Sequence, residues 1–245
     1  MNIISRISLA LAMVCLSTTA NAEGNASNPL AAVNNVDLRA QGTTGKAGDR
    51  YDYFIDGSQM LQPNVKLKYE LHYNSNDFTG SMKSDFEKLV IKPIYFPYQT
   101  KLNDTWAMKT AVGFDLIFDL GDTSKAIGAG AFQFAPLAAI AFSHLPSGTV
   151  ILPLVQHFTS FNGKTDINTT AARLIVIKPF GQGYWAKGDL KVPYDWEGNL
   201  WPVTAELQIG YNINSQWAVF ADGLLGVGGD RPFHSGLGVG LRFKY

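Results

Sequence analysis

Cysteine is nearly missing from this chain. The 245 residues hold one, Cys15, within the first 22. Everything after it is therefore expected to fold without a disulfide, a thiol nucleophile or a cysteine-built metal site. Charge is also scarce. Charged residues make up 16% of the chain, against about 25% in an average soluble domain. Twenty basic residues balance twenty acidic ones, with no Lys/Arg cluster, so no nucleic-acid partner is expected. Past residue 22 no apolar run reaches the roughly 18 to 20 residues of a membrane helix. The nearest, Ala126 to Phe142, is broken by Gln133, Pro136, Gly128 and Gly130, and its bulky residues alternate. The four histidines, His72, His144, His157 and His234, have no short ligand spacing, so neither a metal nor a cofactor is expected. Gly226, Gly228 and Gly229 precede no helical pattern and make no dinucleotide loop.

The N-terminus is built for export. Met1 to Arg6 gives a positive start, Ile7 to Leu16 an apolar centre, and Ala20-Asn21-Ala22 a small-x-small cleavage site. Residues 1–22 are read as a signal peptide and Glu23 as the first mature residue. Val14 before Cys15 is too bulky for a lipoprotein signal.

From there the period is two. Val65-Lys66-Leu67-Lys68-Tyr69-Glu70-Leu71-His72-Tyr73 puts every apolar side chain on one face and every ionisable one on the other. A helix would scatter those charges around its axis, so this is a strand. Trp201 to Tyr211, Leu237 to Tyr245, Trp106 to Phe118 and Phe132 to Phe142 repeat the pattern. Strands are expected near 33–41, 50–60, 65–75, 85–95, 105–119, 129–144, 149–161, 167–178, 184–195, 201–211, 216–226 and 236–245. Short turns such as Gln62-Pro63-Asn64 and Pro146-Ser147-Gly148 alternate with longer polar loops. Twelve long strands, with aromatics at many of their ends, predict an all-β fold: one antiparallel transmembrane β-barrel over residues 23–245. It would sit in a bacterial outer membrane with both termini and the short turns on the periplasmic side. Residues 23–33 are expected to be an extended lead-in or partial plug. A soluble periplasmic β-barrel that binds its ligand inside would show the same alternation with the faces exchanged.

The C-terminal residues Gly240, Phe243 and Tyr245 resemble the signal by which outer-membrane proteins are recognised for assembly. Gly238, where a polar residue is usual, and Tyr rather than Phe at the end depart from it. A wider resemblance rests on Asn28-Pro29-Leu30, Val33 to Arg39, Lys92 to Pro97, Gly148 to His157, Lys191 to Glu197 and Gly229 to Pro232. In these the chain is similar to a family of outer-membrane proteins regarded as transporters, which includes those named for the meta-cleavage pathway of phenol degradation. The resemblance implies passive passage or uptake of small, hydrophobic or aromatic molecules, with no chemical step and no catalytic residues. The implied partners are outer-membrane lipids, the barrel assembly machinery and the solute.

If the apolar rows face lipid, the opposite rows line the lumen. The candidates are Asp52, Asp56, Lys66, Lys68, Glu70, His72, Lys88, Lys92, Lys109, Asp115, Arg173, Lys187, Asp189, Lys191, Glu206, Arg242 and Lys244. Both signs are present, which suggests a network of ion pairs across a narrow barrel. An alternative is a lipid-modifying hydrolase, for which His157 is the nearest base. Ser160 points to the opposite face, and Thr159, which shares the face of His157, is a poorer nucleophile. A purely structural barrel is a further alternative.

Overall fold

A computed structural model describes residues 27–245, so the signal-peptide reading of residues 1–22 falls outside the described residues. Thirteen strands follow in order: β1 (Asn35–Gly45), β2 (Gly48–Gln62), β3 (Val65–Asn76), β4 (Lys83–Tyr95), β5 (Gln99–Lys101), β6 (Trp106–Asp119), β7 (Ala131–His144), β8 (Thr149–Gly163), β9 (Asn168–Phe180), β10 (Tyr184–Asp195), β11 (Val203–Asn212), β12 (Trp217–Val227) and β13 (Ser235–Lys244). One turn of 3-10 helix at Thr123–Lys125 interrupts the β6–β7 loop.

Consecutive strands pair antiparallel except β4 and β5, and β1 pairs with β13 from Asn35↔Lys244 to Thr44↔Ser235. The pairing of β4 with β6, Lys88↔Asp119 to Tyr95↔Val112, joins the two halves and leaves no open edge. Twelve strands close the barrel. The thirteenth, β5, lies in the stretch read from sequence as a turn. After Phe96-Pro97-Tyr98 the chain returns to the ladder, Gln99↔Lys109 to Lys101↔Ala107, and prolongs the edge that β4 began.

The two faces are inverted relative to a soluble protein. Leu38 is 52% exposed, Leu207 56% and Val239 61%, whereas Asp37 is 1% exposed and Asp222 2%. Soluble proteins bury Leu and Val and expose Asp, so this wall is built for an apolar surrounding and a polar interior. That settles the choice between faces that alternation left open. Aromatic groups mark both rims. At the end holding the termini and short turns, Phe180, Tyr184 and Tyr211 pack in succession, and Trp217 meets Phe243 at 4.8 Å between ring centres. At the other end Tyr73 meets Phe86 at 5.4 Å, and Tyr194 packs on Trp196 and Trp201. Such rings settle at the headgroup level of a bilayer.

Two local devices shape the interior. A bulge opposite His72/Tyr73 inserts Glu87 into β4, so the inward-facing set changes parity there and Glu87 and Lys88 both line the lumen. Gly210 and Gly240 lie under the rings of Trp185 and Phe220, where a Cβ atom would collide with the ring. Glycine is required at both places by close approach.

Candidate functional site: the barrel lumen

At the terminal end, the segment from Ser27 to Val33 enters the lumen in turns and bends. It forms no ladder, so its carbonyls need other donors. The wall supplies them. Lys66 Nζ donates to the carbonyls of Ala31 at 2.8 Å and Pro29 at 3.3 Å, and Lys109 Nζ to that of Leu30 at 2.9 Å. Ser58 Oγ donates to the Val33 carbonyl at 2.9 Å, and Arg242 Nη1 to Ser27 Oγ at 2.7 Å. Leu30 itself is buried among Ile94, Phe96, Ala139, Leu152, Ile175 and Ile177, all inward-facing. Lys109 also sits 3.6 Å above the Phe96 ring, and Lys244 reaches Asn212 Oδ1 at 3.2 Å. Four of the sequence candidates, Lys66, Lys109, Arg242 and Lys244, thus belong to this end of the lumen.

Further in, most charges are paired across neighbouring strands. Arg242 grips Asp37 through Nε at 2.8 Å and Nη2 at 2.5 Å. Arg39 bonds Asp222 at 2.8 Å, and its guanidinium lies between the Phe54 and Phe220 rings, 4.8 and 5.3 Å from their centres. It stands 3.5 Å from Asp56 and 3.9 Å from Glu206. Lys187 meets Glu206 at 2.8 Å, Lys92 meets Asp115 at 3.0 Å and Glu70 at 3.7 Å, and Arg173 grips Asp189 with both arms of its fork. Closer to the long loops, His72 stacks on Phe54 and bonds Asp52 at 3.0 Å, with Glu70 on its other nitrogen at 3.4 Å. Donor atoms of Asp52, His72 and Glu87 lie within 4.8 Å of one another, a spacing open to a metal ion. Arg50 already occupies that place, 2.7 Å from Glu87 and 3.7 Å from Asp52.

Thirteen of the seventeen candidates line the larger lumen cavity, Asp52 and Asp189 line a second, and Lys109 and Lys244 bond Leu30 and Asn212. Charged residues of the same surfaces absent from that set include Asp37, Arg39, Arg50, Glu87, Asp119 and Asp222. Asp37 and Arg39 alternate with Val36 and Leu38 and carry the same signal as the others. Asp222 shares its row with Phe220, which masks the polarity of that face. Glu87 follows from the bulge and has no sequence signal.

Two cavities of the lumen bear on function. One of about 480 Å³ is lined by charged residues from β1–β4, β6, β9–β11 and β13, with Ile94, Ile117, Leu152, Leu154 and Ile175 among them. The other, about 440 Å³, extends toward the long loops at Ala47, Phe78 and Phe233. Gln41, Arg173, Lys191 and Glu206 line both.

On the outer face, His157 Nδ1 meets Thr170 Oγ1 on β9 at 3.0 Å, not Thr159, and Trp196 Nε1 donates to the same oxygen at 3.0 Å. Ser160 Oγ accepts the Ile167 amide. Among the described residues no carboxylate bonds His157, so an orienting acid for a hydrolytic triad is missing.

No protein-family model matches the chain, and none of the curated proteins does. Its fold, however, is that of solved outer-membrane barrels. The NanC porin superposes with a TM-score of 0.62 at 10% identity, over 86% of this chain and 98% of its own. An outer-membrane channel from Pseudomonas putida gives 0.60 at 8% identity, over 94% and 100%. The outer-membrane phospholipase A of Escherichia coli gives 0.50 at 14% identity, over 86% and 92%. With its apolar belt and aromatic rims, this chain has the fold of the closed twelve-stranded β-barrels of the bacterial outer membrane.

Proposed function

We propose that the protein is a passive channel, exported by its first 22 residues, that admits small amphipathic molecules across the outer membrane with no chemical step. The observation that carries this is the mixed lining of the 480 Å³ cavity, where Leu137, Leu154 and Phe158 remain partly accessible among rows of charges. A wholly polar solute would leave those apolar side chains uncovered, and a wholly apolar one would strand the charges. A molecule with an apolar body and a polar end satisfies both. This narrows the hydrophobic or aromatic cargo that the phenol-pathway resemblance implies. Gly240, Phe243 and Tyr245 serve the assembly machinery in this reading.

Liposome swelling with phenyl glucoside tests it. Vesicles holding the full mature chain should admit this solute faster than they admit raffinose, and faster than protein-free vesicles do. Equal rates with and without the protein would refute the channel. A second reading, a lipid hydrolase, draws on the outward contact of His157 with Thr170. Phospholipid hydrolysis by the purified barrel that disappears in Thr170→Ala would replace the channel with an enzyme.

A further inference from the structure

Nearly every cation inside this barrel has an oxygen partner. Two do not: among the described residues, Lys68 and Lys191 make no hydrogen bond or ion pair. Their placement sharpens the anomaly. Lys68 stands directly opposite Lys92 in the β3–β4 ladder, and Lys191 directly opposite Arg173 in the β9–β10 ladder. All four side chains face the same cavity. Like charges directly across a ladder destabilise a sheet, so two such pairs aimed at one space need a reason.

In each pair one member is neutralised, Lys92 by Asp115 at 3.0 Å and Arg173 by Asp189. The other member is left over. The acids within electrostatic reach of Lys68 are Glu70 and Asp56. Glu70 already serves Lys92 and His72, and Asp56 faces Arg39. Lys191 lies 5.0 Å over the face of Phe158, within reach of the charges of Arg173, Lys88 and Lys92 as well as Asp189. A half-buried ammonium without a counter-charge is costly, and an anion from outside would relieve that cost.

We infer that Lys68 and Lys191 form a seat for the anionic head, a carboxylate or similar oxyanion, of a small solute whose apolar body lies against Leu154. Leu154, Arg173 and Lys191 are consecutive partners across β8, β9 and β10, so the apolar contact and the charges belong to one row of the wall. The second cavity, which shares Arg173 and Lys191, gives the seat an approach from the long-loop end.

This site rests on the amphipathic-channel reading, and its test is separable from it. The folded full barrel in detergent is titrated calorimetrically with benzoate and with benzamide, its neutral analogue of the same shape. Benzoate should bind at least about tenfold more tightly than benzamide, and Lys68→Met/Lys191→Met should erase that difference. Lys68→Arg/Lys191→Arg should restore it. Equal affinity of the unmodified protein for the two compounds overturns the site without any variant having to fold. So does a Met double variant, folded by gel mobility, that still prefers benzoate. If phenyl glucoside enters vesicles while benzoate and benzamide bind alike, the head-group seat fails alone. If phenyl glucoside does not enter, the channel fails, whatever binds.

Discussion

Asp37 and Arg242 form the most completely buried ion pair of the lumen, at 1% and 6% exposure. Three contacts join them, from Arg242 Nε at 2.8 and 3.0 Å and from Nη2 at 2.5 Å. Asn35 Nδ2 donates to Asp37 at 2.7 Å, while the guanidinium lies 5.2 and 5.7 Å from the ring centres of Phe220 and Trp185. Asp37→Asn keeps one acceptor but leaves a buried cation without its counter-charge. Arg242→Met keeps the contacts with the rings but leaves a buried carboxylate with only Asn35. Removing one partner of such a pair costs about 3 to 5 kcal/mol. Because the neighbouring cavity admits water, the lower figure applies, about 3 kcal/mol for each single variant. The double variant removes both charges and should cost no more than either single one. The free energies are read from urea titrations of the barrel in lipid vesicles, following the mobility shift between unboiled folded and unfolded chains. If the two single costs add in the double variant, or if each is under about 1 kcal/mol, the pair is not coupled as the geometry requires.

Other outcomes follow from the same structure. Leu30→Cys introduces a thiol into a chain with none after residue 22, and Leu30 is buried in the lumen. Adding Lys66→Met and Lys109→Met removes the ammonium donors to its segment, worth about 3 kcal/mol together, so maleimide labelling should speed up by about a hundredfold. An unchanged rate would mean that those bonds do not hold the segment in place. Val239→Arg, at the middle of β13 on the outer face, should cost about 2 to 4 kcal/mol in lipid vesicles. A neutral result would put that face in water. Gly210→Leu should cost about 1 to 3 kcal/mol in the same urea assay by driving a side chain into Trp185. Wild-type stability there would contradict the close approach of ring and strand.

Alternation made most of the barrel legible, because period two is what a two-faced wall requires. It could not show which face met lipid, since exchanging the faces leaves the pattern unchanged. Burial decided that, with Val239 outside and Asp222 inside. The illegible parts are those where periodicity is broken or absent. The bulge at Glu87 changes the parity of β4, and the parity is visible only with β3 alongside. Strand β5 sits between Pro97 and a turn and becomes a strand only because β6 offers it a ladder. The segment from Ser27 to Val33 has no period, and its place is set by donors from β2, β3, β6 and β13 that lie far away in sequence.

The mixed lining of the lumen has a sequence signature that alternation alone overlooks. Strands β3 and β10 alternate cleanly between lipid-facing apolar and lumen-facing charged residues, but part of β8 and β9 does not. Val150-Ile151-Leu152-Pro153-Leu154-Val155 and Leu174-Ile175-Val176-Ile177 are apolar at every position. A strand that is apolar on both faces meets an apolar medium on both, as in sheets covered on each side. Here lipid meets Ile151, Val155, Leu174 and Val176, and the inner medium meets Leu152, Leu154, Ile175 and Ile177. A barrel lumen filled with water alone gives no reason for that second row. At the terminal end its occupant is Leu30, packed against Leu152, Ile175 and Ile177. Beyond Leu30 the row continues through Leu154, which packs against the edge of that cluster and lines the cavity that Lys68 and Lys191 share. The continuous apolar runs and the two unmatched lysines are thus the two features that the proposed solute, apolar at one end and anionic at the other, would satisfy together.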